Sequence, residues 1–174
     1  MAQRTRRRRK PGGGFALIDL IVTLAIIAIM AAVLFPRIDD DNRLRLMAAA
    51  RLIASDIEMA QVMTISNPAE PIIVKFELGG TYWLAPAADP DTPIVRPGAI
   101  HPYRIVFGEG RGRTARDVTL VLTDVENNIL SFNELGGLVN LNLHPEIKLV
   151  HGSEWVKLTL STMTGTITET AGSG

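Results

Sequence analysis

Three patterns of apolar and polar positions follow one another along this chain. The first is a continuous apolar run from Phe15 to Phe35, interrupted only by Asp19 and Thr23. It is about the ~20 residues an α-helix needs to cross a bilayer core. The second pattern is helical and amphipathic. Between Asn42 and Ser66, the residues Leu46, Ala49, Ile53, Ile57, Ala60 and Thr64 recur at spacings of three and four, which places them on one face. Arg51, Ser55 and Glu58 share another face at the same period. Asp41 or Asn42 is suited to cap the start, and Asn67-Pro68 ends the helix, because proline disfavours helical geometry in the residue before it. Pro36 falls between the two apolar segments, where it kinks a helix and does not end it. The expectation is one long helix, its first half in a membrane and its second half against a soluble domain.

The third pattern alternates. Ile72–Glu77 and Thr81–Ala85 are expected strands, joined at Gly79-Gly80, a two-residue hairpin signal. Ala85 to Pro102 reads as a loop, since Pro86, Pro90, Pro93, Pro97 and Pro102 exclude regular structure. Further strands are expected at Tyr103–Phe107, Val118–Thr123, Ile129–Asn133, Leu138–Leu143, Ile147–Val150, Trp155–Ser161 and Thr166–Thr168, with a frayed tail from Ala171 to Gly174. The fold class is therefore α+β: a long N-terminal helix packed on an antiparallel β-sheet or sandwich. The boundaries are a leader at 1–14, a transmembrane helix at 15–36, its amphipathic continuation at 37–66 and a β-rich domain at 67–174.

Charge alters this picture at one place. The chain is formally neutral, with 18 basic and 18 acidic residues, but Arg4, Arg6, Arg7, Arg8, Arg9 and Lys10 form a cluster without an acid. Without that leader, 12 basic residues would stand against 18 acidic ones, which argues against generic polyanion binding. Abutting an apolar run, the cluster reads as a topology signal that keeps the N-terminus cytoplasmic. There is no cysteine, which excludes disulfides, thiol nucleophiles and thiolate metal sites. A secretory signal cut near Ala31-Ala32 and an ordinary uncleaved anchor are the competing readings. The first leaves Asp19 unexplained, and the second makes it an accidental interfacial acid.

A carboxylate near the start of an apolar segment costs roughly 2.5–3.5 kcal/mol on insertion scales if it lies mid-membrane, so it asks for a partner. Basic leader, Gly14, Phe15, Asp19 and Pro36 together resemble the type IV pilin and pseudopilin family. That resemblance implies cleavage between Gly14 and Phe15 and N-methylation of Phe15. It also implies an acid at the fifth position after the cut, and a proline at the twenty-second. The family usually carries glutamate where this chain has Asp19. The segment RLIASDIEMAQVMTISNPAEPIIVKFELGGTYWLA, with ILSFNELGG and VKLTLSTMTGTIT, is similar to the H-type minor pseudopilins of type II secretion and their minor-pilin relatives (the GspH/FimT group).

The family's logic pairs Asp19 with the α-amino group of a neighbouring subunit, and an unpaired buried charge costs several kcal/mol. Gly14 offers a peptidase close backbone access, because it has no side chain; Gly12 and Gly13 add flexibility. The resemblance implies a prepilin peptidase, other pilin or pseudopilin subunits, an inner-membrane assembly platform and membrane lipid as partners. It places the C-terminal domain in the periplasm. No cofactor and no catalytic or metal-binding constellation is expected. His101, His144 and His151 lack ligand spacing, and Asp89 with Asp91 are too few for calcium. Arg111, Arg113 and Arg116 form the only nucleic-acid candidate, with solvated surface the stronger reading. The expected function is a minor pseudopilin of type II secretion. The alternatives are a minor pilin of a type IV pilus with a role in DNA uptake, and a single-pass anchored enzyme.

Overall fold

The computed structural model describes the backbone of residues 14–34 and 38–174, with side chains at residues 17–31 and 42–174. The basic leader, Gly12, Gly13 and Pro36 lie outside the described residues, and so do the side chains of Phe15 and Asp41. The chain divides into two units, Met1–Ile38 and Asp39–Gly174.

The first unit contains one helix, α1 (Gly14–Leu34). Its described face is apolar all round, with Leu17, Ile18, Leu20, Ile21, Leu24 and Ile27 all exposed. Thr23 returns its hydroxyl to the carbonyls of Asp19 and Leu20, so this polar group is satisfied within the helix. Among the described residues no helix is long and apolar enough to cross a membrane.

The second unit begins with α2 (Ile38–Ser66). It starts four residues before Asn42, so Asp41 and Asn42 lie inside the helix and do not cap it. The apolar face is where the periodicity puts it: Leu46, Ala49, Ile53, Ile57 and Ala60 are all buried, as is Thr64. Thr64 Oγ1 accepts from the Ile72 N–H at 2.9 Å and donates to its carbonyl at 3.1 Å, closing the turn after Pro68.

Two four-stranded antiparallel sheets follow. The first has the order β3-β2-β1-β5, from β1 (Ile72–Glu77), β2 (Thr81–Pro86), β3 (Arg104–Val106) and β5 (Ile129–Leu130). The second has the order β4-β6-β7-β8, from β4 (Thr119–Thr123), β6 (Glu146–His151), β7 (Glu154–Leu160) and β8 (Ile167–Ser173). Val74, Tyr82 and Leu84 from the first sheet share one core with Ile147, Leu149, Val156 and Leu158 from the second and with the buried face of α2. The α+β class with antiparallel sheets is thus observed.

Three details differ from the sequence reading. The β1–β2 loop has three residues, Leu78 to Gly80, because Glu77 pairs with Thr81. Gly79 and Gly80 both have positive φ, and a side chain at Gly80 would collide with the Phe107 ring. Leu138–Leu143 is no strand. Only Leu138 bridges, to Phe132, while the Asn142 N–H turns back onto Asn140 Oδ1 at 3.1 Å and breaks the extended chain. The C-terminal tail is ordered strand, since Ala171, Gly172 and Ser173 pair with Val156, Trp155 and Glu154.

Candidate functional site

The most chemically loaded place in the second unit was not signalled by any motif. Asp56 sits on α2 between Ile53, Ile57 and Ala60, and is 1% exposed. A carboxylate in that position is costly unless it is hydrogen-bonded and paired. Tyr82 from the start of β2 donates to Asp56 Oδ2 at 2.7 Å, and Tyr103, just before β3, donates to Oδ1. The Arg111 guanidinium lies 3.6 Å from Oδ1 and also donates to the Tyr103 hydroxyl. Arg111 comes from a 3-10 turn at Gly110–Ala115, where Gly112 lets the turn press against the Val106 carbonyl. One acid thereby ties α2 to β2, to the β3 edge and to the turn that follows it.

The electrostatics follow from the geometry. Burial pushes the Tyr103 hydroxyl up to about 12, and its hydrogen bond to the Asp56 carboxylate adds to the rise. Tyr82 is raised further, by burial first and by Asp56 second. Burial alone would lower Arg111, but its bond to Tyr103 and the Asp56 charge outweigh that and raise it. The cluster therefore holds two neutral tyrosines and one guanidinium around the Asp56 side chain, and among the described residues no buried polar side-chain atom lacks a hydrogen-bond partner.

Beside Asp56, and sharing Tyr103 and Arg111 with its cluster, a groove of about 500 Å³ opens along β3. Arg96, His101, Arg104 and Arg111 line it, with Glu109 as the one acid. Arg96 and Arg111 both place their guanidinia over the Tyr103 ring, at 4.3 Å and 5.0 Å from its centre. Arg104 pairs with Glu77 at 2.7 Å.

The expected basic loop is divided by this arrangement. Arg111 turns toward Tyr103 and Asp56, while Arg113 and Arg116 remain exposed. The groove instead recruits Arg96 and Arg104, which the sequence does not group with Arg111. Of the residues expected to act in processing and assembly, Gly14 starts α1 and Phe15 lies in its first turn. Asp19 is exposed in the same helix, and Pro36 falls outside the described residues. Asp91 pairs with Lys75, and His151 Nδ1 lies 2.9 Å from the Asp117 carbonyl. Among the described residues no group of three or more His, Asp or Glu side chains is placed to hold a metal ion.

No protein-family model, curated protein or solved structure matches this chain.

Proposed function

We propose that this chain is a minor pseudopilin of a type II secretion pseudopilus. In this reading a prepilin peptidase cuts between Gly14 and Phe15, and Phe15 is then N-methylated. The helix of residues 15–36 anchors the subunit in the inner membrane and carries it into a periplasmic filament. The β-rich unit is displayed on the filament or at its tip.

One observation carries the reading. α1 presents apolar side chains on every described side, with Asp19 as its only charge. A helix of that kind is stable when surrounded by lipid or by other helices. Its acid lies four residues from the terminus that cleavage would make cationic, and supplies a register mark for the next subunit. A minor pilin of a type IV pilus shares the same processing and anchoring, and neighbouring genes for a secretin or for a retraction ATPase separate the two.

Mass spectrometry of the membrane-bound protein tests the proposal. The expected N-terminus is methylated Phe15. An intact Met1, or a start near Ala32, overturns it.

A further inference from the structure

β3 is an edge strand, and it lines the basic groove. The Phe107 N–H donates to the Gly80 carbonyl at 3.0 Å, so antiparallel alternation turns the backbone groups of Ile105 toward Tyr82 and those of Arg104 and Val106 outward. Two of the outward groups are already taken. The Arg104 N–H donates to the Pro102 carbonyl at 3.0 Å, and the Val106 carbonyl accepts the Glu109 N–H at 3.2 Å. The Arg104 carbonyl and the Val106 N–H face no strand. They are the two groups with which an added strand would bracket Ile105.

Both walls of the groove are held in place. On one side, residues 94–103 are closed by the Ile94 N–H on the Leu84 carbonyl at 2.8 Å and by the Tyr103 N–H on the Ile94 carbonyl at 2.7 Å. On the other, Arg111 is tied through the Tyr103 hydroxyl to the buried Asp56. Arg96 and Arg111 meet at the Tyr103 ring, but their charges are unequally balanced. Asp56 lies beside Arg111 and Glu77 pairs with Arg104, whereas among the described residues no acid pairs with Arg96. Arg96 is half-buried against the ring, so an anion beside it is screened less than at open surface.

We propose that this groove binds an extended acidic segment of a different protein. The backbone of the segment bonds to the Arg104 carbonyl and the Val106 N–H. An aspartate or glutamate carboxylate of the segment accepts from the Arg96 guanidinium, with Arg111 beside it. A peptide suits the site better than a nucleic acid. Arg104 and Arg111 already serve acids and Glu109 stands in the lining, so the groove has charge for one or two carboxylates and not for a row of phosphates. The edge offers a single bracket, so pairing ends with a short segment and does not extend into a larger sheet. This inference goes beyond the filament reading and does not depend on it, since neither leader cleavage nor assembly enters the binding.

The test uses the full-length chain in non-ionic detergent and a fluorescent peptide, acetyl-Ala-Glu-Val-Glu-Ala-amide, followed by anisotropy. Saturable binding is expected, and glutamine in place of both glutamates should weaken it about tenfold. Arg96→Gln should weaken the acidic peptide to a similar degree. Arg113→Gln, at an exposed arginine outside the groove, should leave binding unchanged. A peptide N-methylated at every internal residue should also bind more weakly, although its carboxylates are intact. The proposal is overturned by absence of binding, by equal binding of the glutamate and glutamine peptides, or by an Arg96→Gln chain that binds as the parent does. Equal losses in Arg96→Gln and Arg113→Gln would show diffuse charge attraction and overturn it too. A ten-nucleotide thymidine strand that displaces the probe at lower concentration than unlabelled peptide would identify a polyanion site instead.

Discussion

Tyr82 donates a 2.7 Å hydrogen bond to Asp56, joining the start of β2 to the buried face of α2. It fixes the rotation of α2 about its axis, because only one helix position can offer the acceptor.

Replacing that acceptor should be expensive. Asp56→Ala leaves two tyrosine hydroxyls without their partner and releases Arg111, a loss of roughly 2–4 kcal/mol. Asp56→Asn keeps one acceptor oxygen and should lose about half as much. Denaturant unfolding of the full chain in detergent, followed by tryptophan fluorescence, measures both. An Asp56→Ala protein as stable as the parent would show that the cluster contributes nothing net.

The same cluster predicts an alkaline limit. The folded Tyr103 titrates near 12 against an ordinary value of 10.0. Its contribution to stability is complete below pH 10 and is lost as pH rises from 10 through 12. Tyr82 and Tyr103 are the only tyrosines in the chain, so tyrosinate absorbance reports this cluster alone. In the folded protein that signal should stay flat through pH 10 and rise only near 12 or on unfolding. A normal titration at pH 10 with the fold intact would contradict the buried pairing.

Gly112→Ala tests the turn that delivers Arg111. The added methyl would lie 2.3 Å from the Val106 carbonyl oxygen, a backbone atom with little room to yield. A destabilisation of about 1–3 kcal/mol is expected from the overpacking. The turn should also shift Arg111 off Tyr103, and because the guanidinium holds that hydroxyl down, tyrosinate titration of the folded variant should move to higher pH.

Asp19→Ala tests the assembly step in the proposed function. Removing a charge favours hydrocarbon, so insertion should persist, and cleavage should persist because Gly14 is unchanged. Co-purification with other filament subunits should fall sharply, while Asp19→Glu should retain it. Equal co-purification of Asp19→Ala and the parent would rule out the charge pair.

The parts of the fold legible in the sequence are those where one physical signal dominates. The three-four spacing from Leu46 to Thr64 names the buried face of α2, and alternation with paired glycines places β1 and β2. Elsewhere two signals compete. LVNLNL alternates like a strand, yet Val139 and Leu141 are exposed, because asparagine side chains offer the backbone other partners. Ala171–Ser173 has poor strand propensity and is strand nonetheless, held by pairing to β7, where Gly172 leaves room for the Trp155 ring. Asp56 had a usable sign. It falls three residues after Ile53 and four before Ala60, an acid on a face otherwise apolar. Its partners were not legible, since Tyr103 lies 47 residues away and only the folded sheet brings it near.

The two sheets also imply an order of events as the chain folds. β6, β7 and β8 form a meander of sequence neighbours, whose short loops close within microseconds. β5 reaches β1 only after the intervening β2, β3 and β4 have been passed, and the α2 acid finds its tyrosines across comparable separations. Such distant closures come late, since their entropy must be lost before any contact returns it. The meander should therefore stand first as a platform, with the β3-β2-β1-β5 sheet completed last, at β5. A chain halted in that interval would hold β6, β7 and β8 while Asp56 still lacked its two tyrosines.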